Sequence, residues 1–361
     1  MPVTTWLRRL RGPKSGVVVG EEAATLVAPA DAVPVDLPPP AATEPAPELP
    51  QAVDLETPPL RAVEPPSVSE ETAASSPAPV FGASMAYGWI TDVGRVRDQD
   101  EDAVFVFVAE QCSSMAMPPF GLFILADGMG GHHAGEVASA VACQTVAAQI
   151  MEHVYLPLLY GDGDVLKEGD GSVPSLTETL AEAVQFANQE VFASTPGSGT
   201  TLTCALVVGN QLVIGHVGDS RAYLRDGGGA VHLLTNDHSM VKQLVDIGQL
   251  TPEAAAVHPR RNILYRAVGQ GGGLTVDVRA LTLDGDAQLL LCTDGLWGLV
   301  PDTELWQIVT AASSVQGACE QLVAAANAAG GTDNITAIVV ELRHRIAPEP
   351  GSAADESDHL A

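Results

Sequence analysis

Six short runs of apolar residues stand out along the chain, at 103–108, 121–126, 202–208, 212–216, 287–292 and 335–341. Each is four to eight residues long, β-branched or Leu-rich, and bounded by Gly, Asp or Asn, which predicts strands. Between them the apolar spacing changes to that of helices. Residues 134–153 repeat Val137, Val141, Val146 and Ile150. Residues 176–193 repeat Leu180, Ala183, Val184 and Ala187, and the alanine-rich 314–329 stops at Gly330-Gly331. The Gly/Asp segment 161–174 reads as a surface loop. Strands in adjacent groups, separated by helices, favour a mixed α/β layered fold over a doubly wound parallel sheet.

Composition divides the 361 residues. Of 26 prolines, 16 lie in residues 1–80, where aromatics are almost absent. Such a stretch cannot bury enough apolar area to offset its ordering entropy, so residues 1–82 read as a disordered Pro/Ala/Glu-rich tether. Residues 347–361 read as an acidic tail. The remaining domain, 83–346, is long enough for a substantial core.

Net charge is −28, with 17 Lys+Arg against 45 Asp+Glu. So acidic a chain repels phosphate backbones and anionic bilayers, which argues against a nucleic-acid or membrane-surface partner. No apolar run reaches the ~20 residues of a membrane span. The basic tip around Trp6 lacks the apolar stretch of a signal peptide. Five scattered cysteines without a Cys-x-x-Cys pair suggest reduced thiols in the cytoplasm.

The candidate chemistry is carried by carboxylates. TDVGRVRDQDEDA, residues 91–103, packs four acids into five positions. Its Asp98-x-Asp100-x-Asp102 start suggests a calcium loop, but Ala103 replaces the turn glycine and Ala109 the bidentate Glu. A solvated acidic turn is the plain alternative. In FILADGMGGHHAGE, residues 123–136, an apolar strand ending at Ala126 delivers Asp127 among glycines. LLLCTDGLWG, residues 289–298, repeats that grammar at Asp294-Gly295, and in GGTDNITAIVV Asp333-Asn334 opens a strand. Each Asp alone could be a turn residue. Three acids at the ends of packed strands are better explained by a hard cation with oxygen ligands. No cysteine has an Arg six residues later, and no Gly-x-Ser-x-Gly, His-Glu-x-x-His or phosphate-binding Gly loop occurs.

Taken in order, TDVGRVRDQDEDA, ADGMGG, SGTTL, HVGDSR, CTDGLW and GTDNITAI resemble the bacterial metal-dependent serine/threonine protein phosphatases of the 2C type, over residues 84–343. The resemblance implies an α+β fold, a central antiparallel β-sandwich flanked by helices on both faces, with a two-metal site at one end. It implies that Asp127 bridges two metals, that the Gly128 carbonyl binds one of them, and that Glu101, Asp294 and Asp333 are the remaining ligands of the second. It assigns Asp102 to orienting the attacking water and Arg97 to holding the substrate phosphate. Asp219, in VGDSR, matches a position that helps hold a third metal with Asp294; the plain alternative is a turn in which Asp219 pairs with Arg221. The implied cofactor is Mn²⁺ or Mg²⁺. The implied partners are phosphorylated proteins, a Ser/Thr kinase among them, met by a monomer in the cytoplasm.

Some positions depart from the family pattern. Asp100 stands where many members carry Asn, and Met129 where animal members carry a His proposed as general acid. Metal-bound water and His132 are the candidate proton donors; the plain alternative for His132 is a solvent histidine at a helix start. Residues 236–274 resemble the family's flap and hold Arg260, Arg261 and Arg266. These arginines either meet substrate or pair with the acidic surface. Competing readings are a pseudophosphatase that binds phosphoproteins, and an acidic calcium-binding scaffold.

Overall fold

The computed structural model describes residues 82–110, 117–130, 134–161 and 174–345. Residues 1–81 of the proposed tether, the tail, most of the Gly/Asp loop, Cys112 and His132 lie outside the described residues, and Gly82 opens the first strand.

The described strands are β1 (Gly82–Asp92), β2 (Asp102–Ala109), β3 (Phe120–Met129), β4 (Gly199–Thr200), β5 (Leu202–Val208), β6 (Gln211–Val217), β7 (Arg221–Arg225), β8 (Val231–Leu233), β9 (Asp277–Thr282), β10 (Ala287–Cys292) and β11 (Ile335–Arg345). They form two sheets, ordered β1-β11-β10-β7-β8 and β2-β3-β5-β6-β9, with the short β4 also on β3. Every pairing is antiparallel.

The apolar runs are continuous because the central strands are covered on both faces. Phe123 and Leu125 of β3 point between the sheets, where they meet Ala205, Leu289, Leu291 and Ile338. Their neighbours Leu122 and Ile124 point outward, against Ala138, Ala142 and Val146 of helix α1 (Ala134–Ile150) and Leu180 and Val184 of α2 (Leu176–Ser194). On the other flank Leu290, Cys292 and Val339 meet Leu305 and Val309 of a helix at Asp302–Ala311, and Leu322 and Ala326 of one at Val315–Ala328. Each such buried aliphatic chain contributes about 1.5–3 kcal/mol. The result is the α+β, helix-flanked antiparallel sandwich expected.

The six expected strands are all present. The helix expected over 134–153 is α-helical only to Ile150; a wide π turn follows at Met151–Tyr155. Pro157, two residues on, has no N–H and crowds the carbonyl four residues back, which a wider turn relieves. Helix α2 starts on a capping box, Ser175 with Glu178. β1 escaped the pattern because it is an edge strand with Tyr87 and Trp89 exposed. β7 escaped it because arginines close both its ends. The helix at Asp302–Ala311 was also unexpected.

Candidate active site

Five chain segments end at the same rim of the sandwich. β3 ends in Asp127-Gly128-Met129, longer by three residues than the run ending at Ala126 suggested. β2 begins at Asp102, the cross-strand partner of Asp127. β6 ends just before Gly218-Asp219, β10 just before Thr293-Asp294, and β11 begins just after Asp333-Asn334. Arg97, Glu101, Asp127, Gly128, Asp219, Asp294 and Asp333 all line one hollow of about 210 Å³, with Met129, Thr201, Asn262 and Leu264. Asp102 does not line it; its carboxyl group lies buried beside Asp127.

Backbone contacts build this rim. The Asp127 N–H donates to Thr201 Oγ1 at 2.9 Å, and its carbonyl accepts from the Thr200 hydroxyl and the Thr201 N–H, both at 2.8 Å. The SGTTL segment therefore clamps the backbone of Asp127. The Gly128 N–H donates to the Glu101 carbonyl at 3.1 Å. A Cβ on Gly128 would lie 2.3 Å from the Gly135 carbonyl oxygen and 2.6 Å from that of Glu101, so only glycine brings α1 and the two strands this close. Asn334, which the sequence did not single out, stitches the acidic loop to β11. Its Oδ1 accepts from the Glu101 N–H at 2.9 Å, and its Nδ2 donates to the Gln99 and Val93 carbonyls.

The carboxylates raise one another's proton affinity. Burial, followed by the charges of Asp102, Asp294, Asp219 and Asp333, holds Asp127 well above the usual carboxylate range. Asp102 is likewise raised by burial, although Thr336 and Thr293 donate to its Oδ2 at 2.6 and 3.0 Å. Burial and Asp294 raise Asp219. Asp294 is pushed up to about 6 by burial and Asp333, against the opposing fields of Arg97 and Arg261. Mutual repulsion among buried acids is the electrostatic signature of a place that takes a cation.

The fit to divalent ions rests on further observations. Asp102 Oδ1 is buried with no hydrogen-bond partner, and such an orphan calls for a water or ion. The donors are oxygens throughout, which suits a hard cation. Among the described residues no three acid, His or Cys side chains are close enough to grip one ion as they stand. Asp333 Oδ2 is paired with Arg97 Nη2 at 2.8 Å.

Other expectations are refined. Asp219 does not take Arg221 as its partner in a turn. Arg221 forks onto Asp237, Nε to Oδ1 at 3.0 Å and Nη2 to Oδ2 at 2.8 Å, and stacks 3.6 Å from the Trp297 ring centroid. The Trp297 indole N–H donates to the Asp219 carbonyl at 3.0 Å. Asp100 accepts from the Thr91 hydroxyl and the Asp102 N–H and does not line the hollow. In the flap segment, Arg266 is held by Asp277 at 2.6 Å, as a surface pair would be. Arg261 instead lines a cleft beside Asp294.

Residues 98–328 match the protein phosphatase 2C family. The chain is 36% identical over 251 residues to the serine/threonine phosphatase stp of Listeria monocytogenes, covering 70% of this chain and 93% of that one. It is 35% identical to the protein phosphatase PhpP of Streptococcus pneumoniae, covering 72% and 98%. Among solved structures it resembles the Mycobacterium tuberculosis serine/threonine phosphatase PstP/Ppp, with TM-score 0.58, 33% identity, and coverage of 72% and 99%. The catalytic domain of PstP solved in complex with two manganese ions matches with TM-score 0.58 and 30% identity, covering 72% and 99%. The chain belongs to the protein phosphatase 2C family and is a protein phosphatase of that type.

Proposed function

We propose that this protein hydrolyses phosphoserine and phosphothreonine on proteins with the aid of divalent metal ions. The observation that carries this is the convergence of buried, mutually repelling carboxylates beside Arg97. Asp127, the Gly128 carbonyl, Glu101, Asp294 and Asp333 would hold two ions, and Asp219 with Asp294 a third. Both Mn²⁺ and Mg²⁺ suit an all-oxygen set. Ions bound there supply the Lewis acidity that makes water a nucleophile near neutral pH and neutralises phosphoryl oxygens.

The chain's own residues do the rest. Asp102 lies buried behind Asp127 and is fixed through Oδ2 by Thr293 and Thr336, so its unpartnered Oδ1 is the atom that would orient the attacking water from behind the hollow's lining. Arg97 is half-exposed at the mouth, and a substrate phosphate competes with Asp333 for its guanidinium fork. The substrates are phosphoproteins, with a Ser/Thr kinase as the biological counterpart by family analogy. Among the described residues Cys143, Cys204, Cys292 and Cys319 are buried free thiols, which suits a reducing cytoplasm. Turnover of a phosphopeptide with Mn²⁺, lost on chelation, is the test; a protein that binds phosphopeptide without turning it over would be a pseudophosphatase.

Arg97→Ala is expected to raise KM and lower kcat/KM on a phosphopeptide by about tenfold to a hundredfold, the worth of a charge-assisted contact. Unchanged kinetics would leave Arg97 a surface ion-pair residue. Asp219→Ala is expected to shift the Mn²⁺ dependence of turnover upward by about tenfold or more, with the two core ions still bound. Identical metal stoichiometry and affinity by calorimetry, with normal turnover, would reject the third-metal role.

A further inference from the structure

The catalytic hollow does not end at its acids. Asp219, Asn262, Asp294 and Asp333 also line a second, larger cleft of about 480 Å³. At its far end the lining is apolar: Val241 and Val245 from a helix at Met240–Asp246, Pro252, Ala255 and Ala256 from a helix at Pro252–Ala256, and Leu299. Trp297 also lines the cleft, its ring held by the Arg221 stack and its N–H by the Asp219 carbonyl. One cleft is thus lined both by acids of the site and by aliphatic side chains.

The flap segment is also unusually greasy for so acidic a chain. Ile247 is 59% exposed, Val257 80% and Ile263 47%. These three neighbour cleft-lining residues in sequence, Val245, Ala256 and Asn262, and add apolar surface to the same segment.

We propose that this cleft is a specificity pocket for the substrate chain, taking an aliphatic side chain close to the phosphorylated residue. The proposal rests on the phosphatase reading above. The occupant follows from continuity: a phosphoresidue held at Arg97 and the acids leads its own flanking residues past Asp294 and Trp297, so the group that reaches Val245 and Ala256 belongs to the substrate. Arg221, Asp237, Lys242 and Arg261 also line the cleft, but Arg221 is forked onto Asp237 and Lys242 is paired with Asp246, so most of these charges are already matched within the protein. The preference for an aliphatic neighbour is set by Val241, Val245, Pro252, Ala256 and Leu299.

The test uses the full chain with Mn²⁺ and phosphothreonine peptides of Gly, Ser and Ala, with a single Leu walked through the positions on either side. At one preferred position Leu is expected to raise kcat/KM about tenfold over the plain peptide, as burial of one aliphatic side chain implies. Ala256→Asp, at an exposed site that tolerates the change, and Val245→Asp are each expected to bring that ratio close to one. Equal kcat/KM for every Leu peptide and the plain peptide in the wild type would overturn the pocket while leaving the phosphatase reading intact. No turnover of any peptide or of para-nitrophenyl phosphate would instead overturn the phosphatase reading. A retained Leu preference in both variants, with melting temperatures close to wild type, would also overturn the pocket.

Discussion

Asp127→Asn is expected to lower phosphopeptide turnover more than a hundredfold while raising the melting temperature of the metal-free protein at about pH 7.5. The two effects have one cause. Asp127 is buried among Asp102, Asp294, Asp219 and Asp333, whose charges and the burial itself penalise its anionic form. Asparagine keeps the size and the backbone clamp from Thr200 and Thr201 but removes that penalty. It also removes the charge proposed to bridge two ions. Residues that merely support a metal ligand typically cost about 10–100-fold when changed, so a bridging ligand should cost more. The measurement is paired: kinetics with Mn²⁺, and thermal unfolding with chelator. A structural role alone would lower activity and stability together. Retention of more than a few per cent of wild-type activity would sink the site assignment.

This opposition between stability and function explains why some parts of the site were legible in the sequence and others were not. Asp127, Asp294 and Asp333 are conspicuous because each stands at an end of an apolar run, 121–126, 287–292 or 335–341. Burial on both faces makes the run; the site makes the break. Asn334 carried no such signal. Its contacts join residue 334 to residues 93, 99 and 101, more than 230 positions away in sequence. Only the β1–β11 pairing brings these segments together. Thr293 and Thr336, which pin Asp102, look like ordinary strand threonines until β10 and β11 pair beside β2's end.

The same limit applies to charge pairs. Arg221 lies two residues from Asp219, so proximity in sequence suggested a turn pair, yet its fork reaches Asp237 on the segment after β8. Adjacent residues of a strand point to opposite faces, and residues just beyond its end need not share a direction. The flap arginines divide on similar grounds. Arg266 faces Asp277 on β9 and is tied down, whereas Arg261 sits on an exposed loop over the cleft. Composition places basic residues in the segment, but only the packing of β9 and the two short helices decides which ones face solvent.

Stripping divalent metal is expected to end turnover and to destabilise the fold, and the loss of stability should be larger at about pH 7.5 than at about pH 5. The sign follows from the carboxyls. Asp294 in the folded, metal-free protein is pushed up to about 6, above the ordinary value it regains on unfolding. Asp102, Asp127 and Asp219 shift in the same direction. An acid whose folded value is raised favours the fold while protonated, below its unfolded value, and that contribution is lost as pH rises through the folded value. Metal reverses the balance, because it binds the anionic forms and pays for their burial. Ions should therefore add little to the melting temperature at about pH 5, where protons compete for the same oxygens, and much more at about pH 7.5. Thermal unfolding with and without Mn²⁺ at the two pH values measures the difference directly. An equal gain at both would show that the ions bind somewhere other than these buried acids.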